Sequence, residues 1–593
     1  MQESFTAHVR TQVSTYKNER SYTFVRDGAD GLVGRRLDYT ELDHDARRLA
    51  SWLDTQPASR RPVLLLYPEG LDFLRAFLGC LYAGVIAVPV PIPTDPRSLA
   101  RTAGILQDTG AGLVLTTSAH GPDLRQSLGT DLPPEQFLVV ATDDDSLGHA
   151  DSWTMPALHR DSVAFLQYTS GSTSEPKGVV VTHGNLLHNE NEMRQQASTD
   201  SDMVLAGWLP HFHDMGLIGM LLHPLFVGGS CVFMSPTSFL RRPARWLELI
   251  STWRATLTVA PDFAYELCAR IVSDRHLAGL DLSSLRAALN GAEPVRATTL
   301  RKFVDRFAPI GLRPDVFMPC YGMAEVTLMA TGAPRSAPED SYLADRAGLE
   351  QNIVRPATDG TGTELVSCGR TGALDLRIVD PERRTVLGPG HVGEIWLKGA
   401  SVAAGYWHRP DATEETFRAR IADGDGPYLR TGDLGALVDG DLYVTGRLKD
   451  VLIVHGRNLY PQDIEHAVRD LHPALAAGVG AVFPVENGRE HVVIVHEVKK
   501  GLLQGTGLDE LAARVKTLAV QEFGLPRPGV VLTNRGAVQR TTSGKVQRRL
   551  MRRLFLEDRL KTLHTDLPSA VRDLRPARPA ATPAAAVPAG QVG

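Results

Sequence analysis

Between about residue 39 and residue 335 the sequence alternates two patterns, and that alternation restricts the fold more than any other feature of the chain. "ELDHDARRLASWLDTQ", from Glu41, and "EGLDFLRAFLGCLYAG", from Glu69, carry apolar residues at three- and four-residue spacing, which predicts helices with one buried face. Between and after them stand "PVLLLY", "VIAVPVPIP", "GLVLTT" and "FLVVAT", short runs that are mostly apolar. A strand apolar on both faces is buried on both, as in a parallel sheet covered by helices. The expectation up to about residue 335 is therefore α/β. From roughly 365 to 446 the pattern changes to strands with Gly-rich turns, "LDLRIVD", "VGEIWLKG" and "DLYVTG", which predicts a small β subdomain. Beyond "RLKD" a mixed lobe follows, with helices at "PQDIEHAVRDL" and "LDELAARVKTLAVQEF" and strands at "GAVFPV" and "HVVIVHEV". Residues 576–593, rich in Pro and Ala and without apolar period, read as a disordered tail.

Composition excludes several function classes. With 593 residues, 43% hydrophobic and 22% charged, the chain suits a multidomain globular protein. A formal charge of −5 offers no global attraction to nucleic acid or anionic membranes. Cys80, Cys231, Cys268, Cys320 and Cys368 are scattered and form no CxxC pair, so neither a disulfide framework nor a zinc site is expected, and a reducing cytoplasm fits. "MQESFTAHVRTQ" lacks the apolar core of a secretory signal. The most apolar run, Met215 to Met234, is interrupted by His223, Pro224 and a Gly-Gly pair, which predicts a buried helix followed by a strand rather than a membrane span.

Chemistry concentrates in "YTSGSTSEPKG", Tyr168 to Gly178. Small residues let backbone N–H groups approach oxygens, hydroxyls donate, and a lysine supplies a point charge, so the segment suits an anion. The flanking "SVAFLQYT" and "VVVTHGNLL" place it between two strands. Pro176 and Gly178 occupy positions where a nucleotide triphosphatase loop needs glycine and a magnesium-binding hydroxyl, which excludes that class. Further unusual segments follow in order: "WLPHFHDMGLIG" with His211 and His213, "NGAEPV" from Asn290, "CYGMAEVTL" with Tyr321 and Glu325, "YLRTGDLG" with Asp433, "VTGRLKDVLIVHGRNLYPQDIE" with Arg447 and Lys449, and "RTTSGKVQRR" with Lys545. Each alone fits an ordinary turn, cap or packed side chain. Chance is a poor account of all of them together.

In these segments the chain resembles the adenylate-forming superfamily of acyl-CoA synthetases, luciferases and peptide-synthetase adenylation domains, over its length to about residue 570, and within it most resembles the fatty acyl-AMP ligases. The resemblance implies a large N-terminal domain over 1–446, made of two α/β subdomains, the β subdomain and an insertion at about 335–365. A hinge at 447–450, centred on Lys449, and a small mobile α+β C-terminal domain over 451–575 would complete it. It further implies ATP and Mg²⁺ as cofactors and attack of a carboxylate on the α-phosphate, with pyrophosphate leaving. Such chemistry asks for positioning and charge neutralisation rather than a covalent nucleophile.

By the same resemblance, Thr169, Ser170, Gly171, Ser172, Thr173 and Lys177 would grip the β- and γ-phosphates, and Glu325 would bind the metal, a hard oxygen donor for a hard cation. Tyr321 would stack on adenine, with Gly291, Ala292, Glu293, Gly322, Met323 and Ala324 around base and ribose. Asp433 would accept from the ribose hydroxyls and Arg447 donate to ribose or phosphate. Lys545 would neutralise charge growing between carboxylate and α-phosphate, and His213 would lie beside the carboxylate. Ser174 and Glu175 precede Pro176 where many relatives have Gly-x, and Ala324 replaces a threonine common in acyl-CoA synthetases.

Asp214 could pair the amino group of an amino acid, but Met215, Gly216, Leu217 and Ile218 beside it form an apolar stretch suited to an alkyl chain, so a medium- or long-chain fatty acid is expected. The long segment before Cys368 resembles the insertion that marks fatty acyl-AMP ligases, which implies an acyl carrier protein bearing phosphopantetheine as acceptor. Twelve Lys/Arg against four Asp/Glu between Arg535 and Arg578 could steer an acidic carrier. A fatty acyl-CoA synthetase, an amino-acid adenylation domain and a silent adenylate-binding scaffold are the competing readings.

Overall fold

The computed structural model describes residues 3–28, 31–133, 136–144, 147–169, 176–335, 340–358, 360–486, 490–541 and 544–576. The chain divides into two compact units, Met1–Lys449 and Asp450–Gly593. The expected alternation is realised in the first unit as two mainly parallel sheets. One has six strands in the order Leu138–Ala141, Leu113–Thr116, Val63–Leu65, Ala87–Pro89, Val163–Thr169 and Lys177–Thr182. Its pairings are parallel except the last, where Thr169 stands opposite Lys177. The other has eight strands, and its central members Ser230–Met234, Val204–Gly207, Leu257–Ala260, Ala287–Asn290 and Phe317–Gly322 run parallel.

Local chemistry starts the helices where the periodicity predicts them. Asp38 caps Tyr39–Asp54 by accepting from the Glu41 N–H at 2.9 Å, and the Glu41 carboxylate accepts from the Asp38 N–H at 2.8 Å. Asp95 caps Pro96–Thr109, whose first residue is a proline that needs no N–H there. The apolar run is a wide-turn helix, Met215–Leu222, continued by His223–Val227 and followed by the strand Ser230–Met234. Among the described residues no helix is long and apolar enough to cross a membrane.

Four antiparallel strands, Asp375–Val379, Gly393–Lys398, Leu429–Val438 and Asp441–Arg447, form a small sheet. The segment before it pairs Tyr342–Ala344 with Thr363–Leu365 and carries a short helix, Arg346–Glu350, capped by Asp345. This strap is fastened to the first unit at several points. Arg301 of the helix Ala297–Phe307 grips Glu364 with two bonds of 2.9 and 2.6 Å. Val354 N–H donates to Gly390 O at 2.7 Å, and Val392 N–H to Asn352 O at 2.8 Å.

In the second unit, Gly480–Glu486, Glu490–Val498, Gly529–Asn534 and Thr562–Asp566 make a four-stranded sheet. Alternate residues face opposite sides. Val482, Ile494 and Val530 pack with Ile464 and Val468 of Pro461–Asp470 and with Leu511 and Val515 of Leu508–Phe523. Phe483, Val493 and Val531 pack with Met551 and Phe555 of Arg548–Leu556. The fold is thus α/β with a larger N-terminal and a smaller C-terminal domain, as the sequence patterns imply. The expected tail lies outside the described residues apart from Pro576.

Candidate active site

Three of the segments singled out in the sequence leave one edge of the eight-stranded sheet. Val204–Gly207, Leu257–Ala260, Ala287–Asn290 and Phe317–Gly322 are parallel, so their C-terminal ends share an edge. Those ends lead into His211–Met215, Asp262, Gly291–Glu293 and Met323–Glu325. This is the edge at which open α/β sheets bind ligands. The turn at Gly291 abuts the neighbouring strand so closely that a Cβ there would come 3.1 Å from Cys320 O. The Glu293 carboxylate accepts from the Phe263 N–H at 2.6 Å. Asp262 holds the same turn, accepting from the Asn290 amide at 3.1 Å and from the Arg296 N–H at 3.2 Å.

Tyr321, Asp433 and Arg447 meet across 126 positions of sequence. Tyr321 donates its hydroxyl to Asp433 Oδ2 at 3.0 Å, and Arg447 Nε lies 3.1 Å from Asp433 Oδ1. Asp433 and Arg447 are register partners on adjacent antiparallel strands, which fixes that pair through the backbone. Each Asp433 oxygen retains a lone pair for another donor. Gly322 is required by its surroundings: a Cβ there would sit 1.8 Å from Leu328 O. Met323 and Ala324 follow, and Ala324 is buried.

Glu325 is 9% exposed and accepts the Tyr406 hydroxyl at 2.8 Å. Burial pushes its pKa up; the hydrogen bond from Tyr406 and the charge of Arg447 partly oppose this, while the Asp214 carboxylate adds to it. A buried carboxylate in this balance is short of positive charge, and Mg²⁺, which favours hard oxygen donors, fits it. Among the described residues no group of three or more His, Cys, Asp or Glu could hold a metal.

Thr169 and Lys177 stand opposite each other where their two strands meet, and Ser170, Gly171, Ser172 and Thr173 lie outside the described residues, as do Ser174 and Glu175. Lys177 Nζ lies 4.9 Å above the Tyr406 ring. Trp407 N–H donates to Gly178 O at 2.8 Å, so the Tyr406 segment is bonded directly to the lysine's strand.

His213 is half-buried, and its carbonyl accepts from the Leu217 N–H at 2.7 Å. His211 stacks on Phe73 with ring centroids 3.9 Å apart, and burial pushes its pKa down to about 3, so it is a neutral packed ring. Of the four apolar positions next to them, Met215 remains partly accessible, whereas Leu217 and Ile218 are fully buried. Gly216 is walled in: a Cβ would come 2.1 Å from Pro210 O. Lys449 ends the first unit. Lys545 belongs to the second, on a turn where its N–H donates to Thr541 Oγ1 at 3.1 Å.

Sequence reasoning missed Tyr406, Arg101 and Gln167. Arg101 donates to Thr169 O at 3.2 Å, and the Gln167 amide to Phe212 O at 2.8 Å, tying the lysine's hairpin to a helix and to the histidine loop. No local spacing marks these residues. Among the basic residues between Arg535 and Arg578, Arg548 is held by Glu465 and Asp450, while Arg549, Arg552 and Arg553 of the same helix are exposed.

Comparison with known proteins identifies the family. The family described as AMP-binding enzyme matches residues 9–407. The medium-chain-fatty-acid–acyl-carrier-protein ligase JamA of Moorena producens is 41% identical over 561 residues, spanning 92% of this chain and 94% of that protein. The long-chain-fatty-acid–AMP ligase FadD26 of Mycobacterium tuberculosis is 38% identical over 565 residues, 92% of this chain and 95% of that one. Among solved structures, the fatty acyl-adenylate ligase of Legionella pneumophila in complex with acyl adenylate and pyrophosphate shares 35% identity, with a TM-score of 0.73 over 95% of this chain and 98% of that one. The chain belongs to the AMP-binding enzyme family, whose adenylate-forming fold it carries. Within that family it is one of the fatty acyl-AMP ligases.

Proposed function

We propose that this protein uses ATP to convert a medium- or long-chain fatty acid to acyl-AMP with release of pyrophosphate, then passes the acyl group to the phosphopantetheine thiol of an acyl carrier protein. The observation that carries this reading is the joining of two clusters in the first unit. Lys177, Tyr406 and Glu325 form one, Tyr321, Asp433 and Arg447 the other, and Arg447 acts on both Asp433 and Glu325. The named relatives, acting on medium- and long-chain fatty acids, support the substrate class.

In this reading Thr169 and Lys177, with Ser170, Gly171, Ser172 and Thr173, hold the β- and γ-phosphates. Tyr321, Gly322, Met323, Ala324 and the Gly291–Ala292–Glu293 backbone receive the base, while Asp433 and Arg447 hold the ribose. Glu325 holds Mg²⁺, which when bound neutralises phosphate charge. His213 borders the carboxylate and Met215 the alkyl chain, with Leu217 and Ile218 packed behind it. Lys545 stabilises charge at the α-phosphate, and Lys449 is the hinge that divides the domains. Five free cysteines suit a cytoplasmic setting.

The test is mass spectrometry of the products formed from ATP, mixed fatty acids, CoA and candidate carrier proteins together. Acyl-AMP and an acylated carrier are expected. Acyl-CoA as the main product would make the enzyme an acyl-CoA synthetase, and pyrophosphate release with amino acids alone would overturn the fatty acid.

A further inference from the structure

The second unit contains a buried charge network that the activity described so far does not use. Arg548 donates to both oxygens of Glu465, at 2.7 Å each, and to Asp450 Oδ2 at 3.1 Å. All three side chains are largely buried, at 18, 9 and 18% exposure for Arg548, Glu465 and Asp450. Burial alone would lower the Arg548 pKa, but the two carboxylates outweigh it and hold that pKa above its usual value. Glu465 is itself pinned, accepting from the Val482 N–H at 2.9 Å. Opposite charges in this geometry are held firmly, because removing one partner strands the others in a poorly solvated place.

The two ends of the network are specific places in the chain. Asp450 directly follows Lys449, at the boundary between the two units. Arg548 lies three residues after Lys545, on the exit from the lysine's turn. That turn is closed by Thr541 N–H donating to Lys545 O at 2.8 Å and by Gln547 N–H donating to Gln539 O at 2.9 Å. Its entry is gripped by Glu497, which accepts from the N–H groups of Gly536 and Val538 at 2.8 and 3.0 Å. The exit is gripped by the fork of Arg548, whose planar donors fix orientation as a lysine would not.

We propose that Arg548 is a positioning residue that joins the Lys545 turn to Asp450, so that the catalytic lysine and the residue directly after Lys449 behave as one rigid body. The inference rests on the roles given to Lys545 and Lys449 under the proposed function. Asp450 is the link between the network and the chain boundary; Glu465 supplies the anchor in the sheet.

The experiment measures acyl-AMP formation by the full-length protein for Asp450→Asn, Arg548→Lys, Lys545→Ala and the double variants that combine each of the first two with Lys545→Ala. Thermal melts accompany each. Asp450→Asn keeps the Arg548–Glu465 pair and is the milder change should Arg548→Lys fold poorly. On the scale of coupled neighbours, each single substitution should slow adenylation on the order of tenfold, and neither should slow it further once Lys545 is alanine. A merely structural network would lower the rate by the same factor with or without Lys545, and that outcome, or an unchanged rate in Asp450→Asn, overturns the inference alone. If Lys545→Ala itself leaves adenylation intact, the role given to Lys545 fails first and this inference with it.

Discussion

Tyr406 bears on two groups at once: its hydroxyl reaches Glu325 at 2.8 Å and its ring lies 4.9 Å from Lys177 Nζ. The two contacts are separable by substitution. Tyr406→Phe keeps the ring under the lysine and removes a hydrogen bond to a carboxylate, an interaction worth about 1.5–3 kcal/mol. We expect the KM for MgATP to rise about tenfold, with the concentration of Mg²⁺ needed for half-maximal rate rising alongside. Tyr406→Leu, which removes both contacts, should be worse. Equilibrium binding of MgATP by calorimetry provides the check, and unchanged binding in Tyr406→Phe would show that the hydroxyl does not prepare the carboxylate.

Two elements carry expectations of their own. The strap from Tyr342 to Leu365 is fastened by backbone bonds at Val354 and Val392, supported by the partly exposed Arg301–Glu364 pair, a type of contact worth at most about 1 kcal/mol. If the strap restricts the movement that admits a free acceptor, replacing residues 337–363 by a short Gly-Ser bridge should leave adenylation intact and allow acyl-CoA to form. A docked carrier supplies a high effective concentration that free CoA lacks. If adenylation survives and liquid chromatography still finds no acyl-CoA, the strap is not what excludes CoA. The helix Arg548–Leu556 presents Arg549, Arg552 and Arg553 to solvent. Changing these three to glutamine should slow acyl transfer to a carrier severalfold and weaken its dependence on salt, with adenylation preserved, since exposed charges act mainly on association rate. Stopped reactions at several ionic strengths decide this, and an unchanged salt dependence removes the steering role.

At the scale of the whole molecule, buried histidines set a pH dependence of stability. His211 and His183 in the first unit and His496 in the second have pKa values pushed by burial to about 3, about 4 and about 4, from an ordinary 6.5. The folded protein keeps these rings neutral where the unfolded chain protonates them. Their contribution is therefore fully present above about pH 6.5 and is lost as pH falls toward 4 and 3. At pH 5.5 each such ring should cost about 1.4 kcal/mol of stability. We expect the Tm to fall between pH 7.5 and 5.5 and to fall less in His211→Gln, a difference that isolates this ring from the carboxylates. Equal slopes in both proteins would show that His211 takes up its proton while folded.

Period alone was enough to place the helices and strands named from the sequence, because the pattern that decides an element lies within it: three- and four-residue spacing for Tyr39–Asp54 and Leu71–Ala83, short apolar runs for Val63–Leu65 and Leu113–Thr116. Residue type within an unusual segment is what singles out Lys177, Glu325, Asp433 and Lys545 as candidates. What the sequence could not disclose are the partners. Tyr406 meets Glu325 across 81 positions, Arg548 meets Glu465 across 83, and Tyr321 meets Asp433 across 112. Arg548 looked like one more cation on a basic helix until its neighbours were known. Periodicity is a property of a few consecutive residues, so the chain alone determines which faces are apolar and which groups are reactive. Which face packs on which, and hence which buried charge finds its counter-charge, is decided only when distant elements are brought together.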